Sequence, residues 1–436
     1  MSYSATFTDW KGLRLEDLVV AYRKAKADCF FENTFPTAIK FAEYEQKLLE
    51  NLKDLLVRLQ LNQGFSEDKK LLGEFRLLPK KLSVEPKRES ANGHIHFSCP
   101  VRAFESLKSN NELVPEFRIV GDFPVDAHIL SALWINTIGH KFDACLGRDC
   151  YGARLKRIRN DDSLDRNADK PFHVSAIGSF TPYFQPYQKW RNDGLKAIRF
   201  ELEKDRDVVA VSLDLKSYYH FVDPLAIASP MLQSKLGLEL SKAEQLFTKE
   251  LTRFLANWSE GAQEFSKGLV KGEADIPGGL VIGLTATRIM SNVLLHHWDT
   301  LIREKVAPIH YGRYVDDMFM VLHDTGCINN TKEFMVFLQG RLGDDCIFQE
   351  ETELADRSKK KEKLWEIQQG KELQGSTRIK LQAEKQKLFI LHGRAGLDLL
   401  DSIEKEICEL SSEHRLMPSP DQLEDSTAAR VLSAAG

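Results

Sequence analysis

Two adjacent aspartates, Asp316 and Asp317, interrupt the strand-like stretch HYGRYVDDMFMVLHD. A third, Asp214, ends the apolar run VVAVSLD, 102 residues before Asp316. Each has an ordinary reading, since aspartate is common in turns and at helix N-caps. Two-residue hairpin turns favour glycine, however, and this one has none. Neighbouring carboxylates beside Val315, Met318 and Phe319 repel each other where water is partly excluded, and a cation is needed to hold both ionised. Carboxylate oxygens are hard ligands that suit Mg²⁺, with Mn²⁺ as an alternative, better than soft metals. Two divalent ions about 3.5–4 Å apart can activate an attacking 3′-hydroxyl and stabilise a departing pyrophosphate. One acid at a strand end and two on a hairpin tip therefore suit phosphoryl transfer.

Such acids must be brought together by the elements around them. The Asp316–Asp317 stretch predicts a strand, a tight turn and a strand, and DVVAVSLDLKSYY predicts a buried strand followed by a turn. Helical spacing over residues 14–60 predicts two helices, broken near Thr34 and Pro36. Helical patterns recur from Val125 to Leu146, up to Lys204, over 237–267, after the Gly-rich loop IPGGLVIG, over 331–341 and over 397–410. HIHFS and EFRIVGD read as short strands, and RIKLQAEKQKLFILHG as two more. The charged RSKKKEKLWEIQQGKELQGS reads as an exposed loop or insertion. Strands and helices alternate but the strands are few, so the expected class is α+β rather than a doubly wound sheet.

At 436 residues the chain is long enough for two or three domains, and 42% hydrophobic with 28% charged residues describes a soluble globular protein. Its seven cysteines are scattered without a CxxC pair, which argues for a reducing compartment and against a disulfide framework or zinc ribbon. The opening MSYSATFTDWKGLRLEDLVV lacks the apolar centre of a signal peptide, so a soluble, cytoplasmic protein is expected. With a net charge of −4, any contact with a polynucleotide must come from local basic surface.

The YVDD hairpin, the earlier LDLKSYY strand and their order resemble the palm of reverse transcriptases. The form GLTATRIMSN resembles the abortive-infection and other antiviral-defence members of that family in bacteria. The resemblance implies a right-hand polymerase with an RRM-like antiparallel palm, fingers and a helical thumb. It places an N-terminal helical extension at 1–60, fingers at 61–206, the palm at 207–394 and the start of a thumb or C-terminal helical region at 395–436. Carried over, Asp214 and Asp316 hold both Mg²⁺ ions, Asp317 assists, and the carbonyl of Leu215 is a further ligand. Tyr219, the fifth residue after the strand aspartate, would clash with a 2′-hydroxyl and so favours deoxynucleotides.

The same resemblance gives Arg118, in EFRIVGD, a role at the triphosphate, which the planar fork of guanidinium suits. Arg154, in YGARL, is a second phosphate candidate. VIG (Val281, Ile282, Gly283) stands where the family usually has Pro-Gln-Gly, and Asn292 follows Gly283 by nine residues as in many bacterial members. Gly283 would let backbone approach the nucleotide, whereas Gly278 and Gly279 read as a flexible loop. Lys385 matches a lysine proposed to protonate pyrophosphate or order the nucleotide. Tyr183, Tyr187, Lys189, Trp190 and Arg191 either line template or are core and surface residues. His94 and His96 share one strand face and could bind metal, but no third ligand is evident, and His296–His297 reads as part of a helix facing core and solvent.

The implied activity is RNA-directed DNA synthesis from dNTPs in antiphage defence. A noncoding RNA template, a DNA product, and association with a second copy or a partner defence protein go with it; a membrane does not. Alternatives stay open: a retron or group II intron-like reverse transcriptase, protein-primed untemplated synthesis, or an inactive palm acting as a nucleic-acid-binding scaffold.

Overall fold

The computed structural model describes residues 6–30, 37–84, 113–158, 171–267, 279–343, 346–351, 363–367, 379–382 and 386–409. His94, His96, Gly278, Lys385 and the tail after Glu409 lie outside them. The strands are β1 (Glu74–Val84), β2 (Leu113–Asp122), β3 (Val208–Asp214), β4 (His310–Tyr314), β5 (Asp317–His323), β6 (Ile347–Glu351), β7 (Lys363–Ile367), β8 (Ile379–Gln382) and β9 (Lys387–Leu391). They form a β1–β2 ribbon, a four-stranded sheet ordered β4-β5-β3-β9, and a three-stranded sheet ordered β6-β7-β8, with every named pairing antiparallel. Helices surround these sheets, and the class is α+β, as expected.

The four-stranded sheet is covered on both faces, which explains why its strands read as nearly continuous apolar runs. Side chains alternate between faces along a strand. Val208, Ala210, Phe319, Val321, Phe389 and Leu391 therefore pack with Trp190, Ile198 and Leu202 of the Phe184–Glu203 helix and with Leu400 and Ile403 of the Gly396–Glu409 helix. Val209, Val211, Leu213, Met318 and Met320 enter a larger core on the other side. Gly194 makes room within the first helix, because a Cβ there would lie 2.1 Å from the ring of Phe319.

The larger core runs from Phe7 to Leu381 and includes the N-terminal helices. There are three of these where two were expected, at Leu15–Phe30, Thr37–Glu45 and Leu48–Asn62. The extra break follows Glu45, where the Asn51 side chain donates to the carbonyl of Tyr44 at 2.9 Å and satisfies a helix end. Arg58 ties the third helix to Asp68 at 2.7 Å and to Asp126, which also accepts from the Tyr44 hydroxyl at 2.7 Å.

One expectation fails within the charged segment. LWEI is not loop but the middle strand of the β6-β7-β8 sheet, with Trp365 and Ile367 buried on one face. Charges on both sides mask the two-residue alternation. RIKLQ and KLFIL do form two strands, in different sheets: β8 joins the small sheet, and β9 pairs with β3.

Candidate active site

Asp214 closes β3 and Asp317 opens β5, and the antiparallel register sets them directly opposite each other. Asp316 precedes Asp317 in the two-residue link from β4. Like charges at facing strand positions destabilise a sheet, and here the chain places three acids at one strand end. Burial, then the nearby Asp214, pushes the Asp316 carboxyl up from 3.8 to about 6. Burial, then Asp316 and Asp214, pushes Asp317 up to about 7. Groups held this far from their ordinary ionisation are the ones a cation would return to the dianion.

The chain around Asp214 and Asp316 forms a cavity of about 340 Å³. Arg118, Asp214, Leu215, Tyr219, Gly283 and Asp316 all line it, although they come from distant parts of the sequence. Arg118 is exposed on β2. Tyr219 follows Ser217, whose φ of 48° turns the chain sharply after β3 into the 3-10 turn Tyr218–Phe221. Its hydroxyl meets Ser291 Oγ at 3.1 Å, and the Tyr218 hydroxyl donates to the carbonyl of Ser291 at 2.6 Å. Burial lifts the Tyr219 hydroxyl to about 12, so the ring stays neutral.

Gly283 has a φ of 133°, and a Cβ on it would lie 2.5 Å from the carbonyl oxygen of Gly121. The adjacent Ile282 carbonyl accepts from Gly121 N at 2.8 Å, so this loop is pinned to β2. Gly279 also packs closely: a Cβ there would lie 2.1 Å from the carbonyl oxygen of Tyr219.

The hairpin tip is held from behind. Val315 has a φ of 59°, in the left-handed region that β-branched side chains avoid, at a cost of about 1–3 kcal/mol. Arg313, fully buried on β4, uses all five guanidinium N–H groups. Nε donates to Asp299 Oδ1 at 2.9 Å, and Nη2 to Asp299 Oδ2 at 2.7 Å and to the Asn292 carbonyl at 3.1 Å. Nη1 donates to Asn292 Oδ1 at 2.9 Å and to the Val315 carbonyl at 2.7 Å. Tyr311 also donates to Asp299, at 2.7 Å.

Other residues singled out in the sequence fall elsewhere. Arg154 does not line the cavity; its guanidinium is spent on Asp143 Oδ1 and on the carbonyls of Asp143, Leu146, Gly147 and Cys150, at 3.0–3.3 Å. It fastens the end of the His140–Ala144 helix instead of offering donors to a phosphate. Tyr187 and Trp190 are core residues, Tyr183 is exposed, and Lys189 is paired with Asp193. His296 and His297 are half-buried in the His296–Leu301 helix, and burial lowers both. Residues passed over in the sequence also belong here. Arg288 and Cys29 line the cavity, the first lying 5.4 Å from the ring of Phe180.

Among the described residues, the group whose ligand atoms already lie within 4.8 Å of one another is Asp207, Asp324 and His392, at the opposite end of the same sheet. There Asp207 Oδ1 accepts from Gly393 N at 2.7 Å and Oδ2 meets His392 Nδ1 at 3.2 Å, so the exposed Asp207 secures the turn after β9, with Asp324 half-buried beside it. Asp214, Asp316 and Asp317 do not form such a group, though each of the two hairpin carboxyls feels the charge of Asp214. Their donor chemistry fits Mg²⁺, and the raised carboxyls mark the negative charge it would offset. No protein-family model matches the chain, and no curated protein is similar enough to count as a relative. No helix among the described residues is long and apolar enough to cross a membrane.

Proposed function

We propose that the chain is an RNA-directed DNA polymerase that adds deoxynucleotides to a 3′-hydroxyl, and that it serves antiphage defence by copying a noncoding RNA. The observation that carries the first part is the shared cavity of Asp214, Asp316, Arg118, Tyr219 and Gly283, chosen from the sequence for one reaction and gathered by the fold. The sheet order β4-β5-β3-β9, with acids at the β3 end and the β4–β5 tip, supports a palm of the polymerase kind. The defence role and the RNA template rest on the GLTATRIMSN resemblance.

In this reading Asp214 and Asp316 hold two Mg²⁺ ions, with the Leu215 carbonyl as a further ligand and Asp317 adding charge beside them. Bound there, the ions supply activation of the 3′-hydroxyl and relief of charge on the pyrophosphate. Arg118 meets the triphosphate from β2. The Tyr219 ring, fixed through Ser291, occupies the space a 2′-hydroxyl would need. Gly283 lets the loop backbone approach the nucleotide.

Primer extension with Mg²⁺, dNTPs and an RNA or DNA template tests this. Wild type should extend the primer, and Asp316→Ala combined with Asp317→Ala should reduce extension to background. Extension by the double variant at the wild-type rate rejects the metal site, and an inert wild type that still binds nucleic acid supports a scaffold instead. Sequencing nucleic acid that copurifies with the protein identifies the template.

A further inference from the structure

We infer that Arg313 is a positioning residue for the acid hairpin, holding Val315 in its left-handed conformation and so fixing where Asp316 and Asp317 present their carboxylates. The inference rests on reading those acids as a cation site. A two-residue hairpin with positive φ at its first position ordinarily has glycine there. This chain has Val315 instead, at φ 59°. Local sequence therefore does not settle the turn, and tertiary contacts must do so.

Two contacts do. The Val315 carbonyl accepts from Arg313 Nη1 at 2.7 Å. Against the Val315 amide lies Gly152, where an added Cβ would approach the nitrogen to 2.9 Å. Asn292 joins the two, accepting from Arg313 at 2.9 Å and donating to the Gly152 carbonyl at 2.8 Å. The guanidinium itself is oriented by Asp299, bound through Nε and Nη2. A lysine would keep the charge opposite Asp299 but cannot reproduce the planar fork. The Ala286–Leu294 helix that supplies Asn292 also supplies Ser291, the partner of Tyr219. One helix thus sets both the tyrosine ring and, through Arg313, the acids.

The test is Mn²⁺ titration of the full chain, followed by electron paramagnetic resonance, with nucleotide addition measured alongside. Wild type should bind Mn²⁺, and Asp316→Asn should lose that binding. Arg313→Lys should weaken Mn²⁺ binding about 10-fold or more and lower kcat more than the KM for nucleotide. Adding Val315→Gly to Arg313→Lys should recover about threefold or more of the lost affinity, because glycine adopts the turn without the clamp. Asn292→Ala, a milder change, should shift affinity in the same direction and serves if Arg313→Lys does not fold. Unchanged Mn²⁺ affinity in the folded variants, or no recovery with glycine, overturns the inference while the Asp316 dependence leaves the metal site standing. Wild type without Asp316-dependent Mn²⁺ binding overturns both.

Discussion

At the scale of residues, Asp316 is where stability and the proposed chemistry oppose each other. Its carboxyl ionises at 3.8 in a free chain and at about 6 in the fold. Above pH 3.8 the unfolded chain gives up this proton first, so the group's stabilising contribution fades as pH rises and is lost beyond about 6. The difference amounts to roughly 3 kcal/mol at pH 8. With a chelator present, Asp316→Asn should therefore melt several degrees above wild type at pH 8, and the gap should nearly close at pH 4. Equal melting at both values would mean that the acids do not strain the apo fold. Tyr219 separates ring from hydroxyl: Tyr219→Ala should raise ribonucleotide use relative to deoxynucleotide about 10–100-fold. Tyr219→Phe keeps the ring, loses the bond to Ser291, and should leave sugar choice nearly unchanged when single incorporations are timed. These residues were legible because each breaks a local rule: an acid ending an apolar strand, an aromatic where the chain turns. Arg313 stood in plain view too, but a charged strand residue reads as solvated until its partner is known, and Asp299 lies on a separate helix. Arg154 misled for a related reason, since the carbonyls that absorb its donors leave no trace in sequence.

At the scale of elements, two opposing effects meet at Gly194. Helix propensity alone says that Gly194→Ala gains about 1 kcal/mol. The 2.1 Å approach to Phe319 says that the new methyl overpacks the sheet, at a cost of about 1–3 kcal/mol. Packing should win, because the neighbour is a buried ring held between β4 and β3, so the urea midpoint should fall. A rise would show that the helix can move off the sheet freely. The element pattern was largely readable where periodicity ran unbroken, as in β3, β5 and the Phe184–Glu203 helix. It failed in LWEI, where only Trp365 and Ile367 are sequestered and the flanking charge outweighs a two-residue signal. It found β8 and β9 but not their partners, because nothing local distinguishes β8 joining β7 from β8 joining β9.

At the scale of the molecule, the N-terminal helices share one core with the cavity, and Cys29 from the first of them lines it. Leu18→Ala, at a fully buried position, should cost about 2–5 kcal/mol. Unfolding by fluorescence should remain one transition, with the proposed nucleotide addition lost in the same step; a separate early transition would make the first sixty residues an independent module. The sheet order has a consequence for biosynthesis. β3 lies between β5 and β9, and both of its partners are translated later. At roughly 5–20 residues per second, β5 follows β3 off the ribosome after about 5–20 s. Meanwhile VVAVSL, rich in β-branched residues and free of charge and proline, waits without a neighbour, a profile that invites self-association. Asp207 and Asp214 bracket it as gatekeepers. The acid assigned to the cation site thus also guards the nascent strand, and Asp214→Ala should lower soluble yield during translation more than Asp316→Ala does.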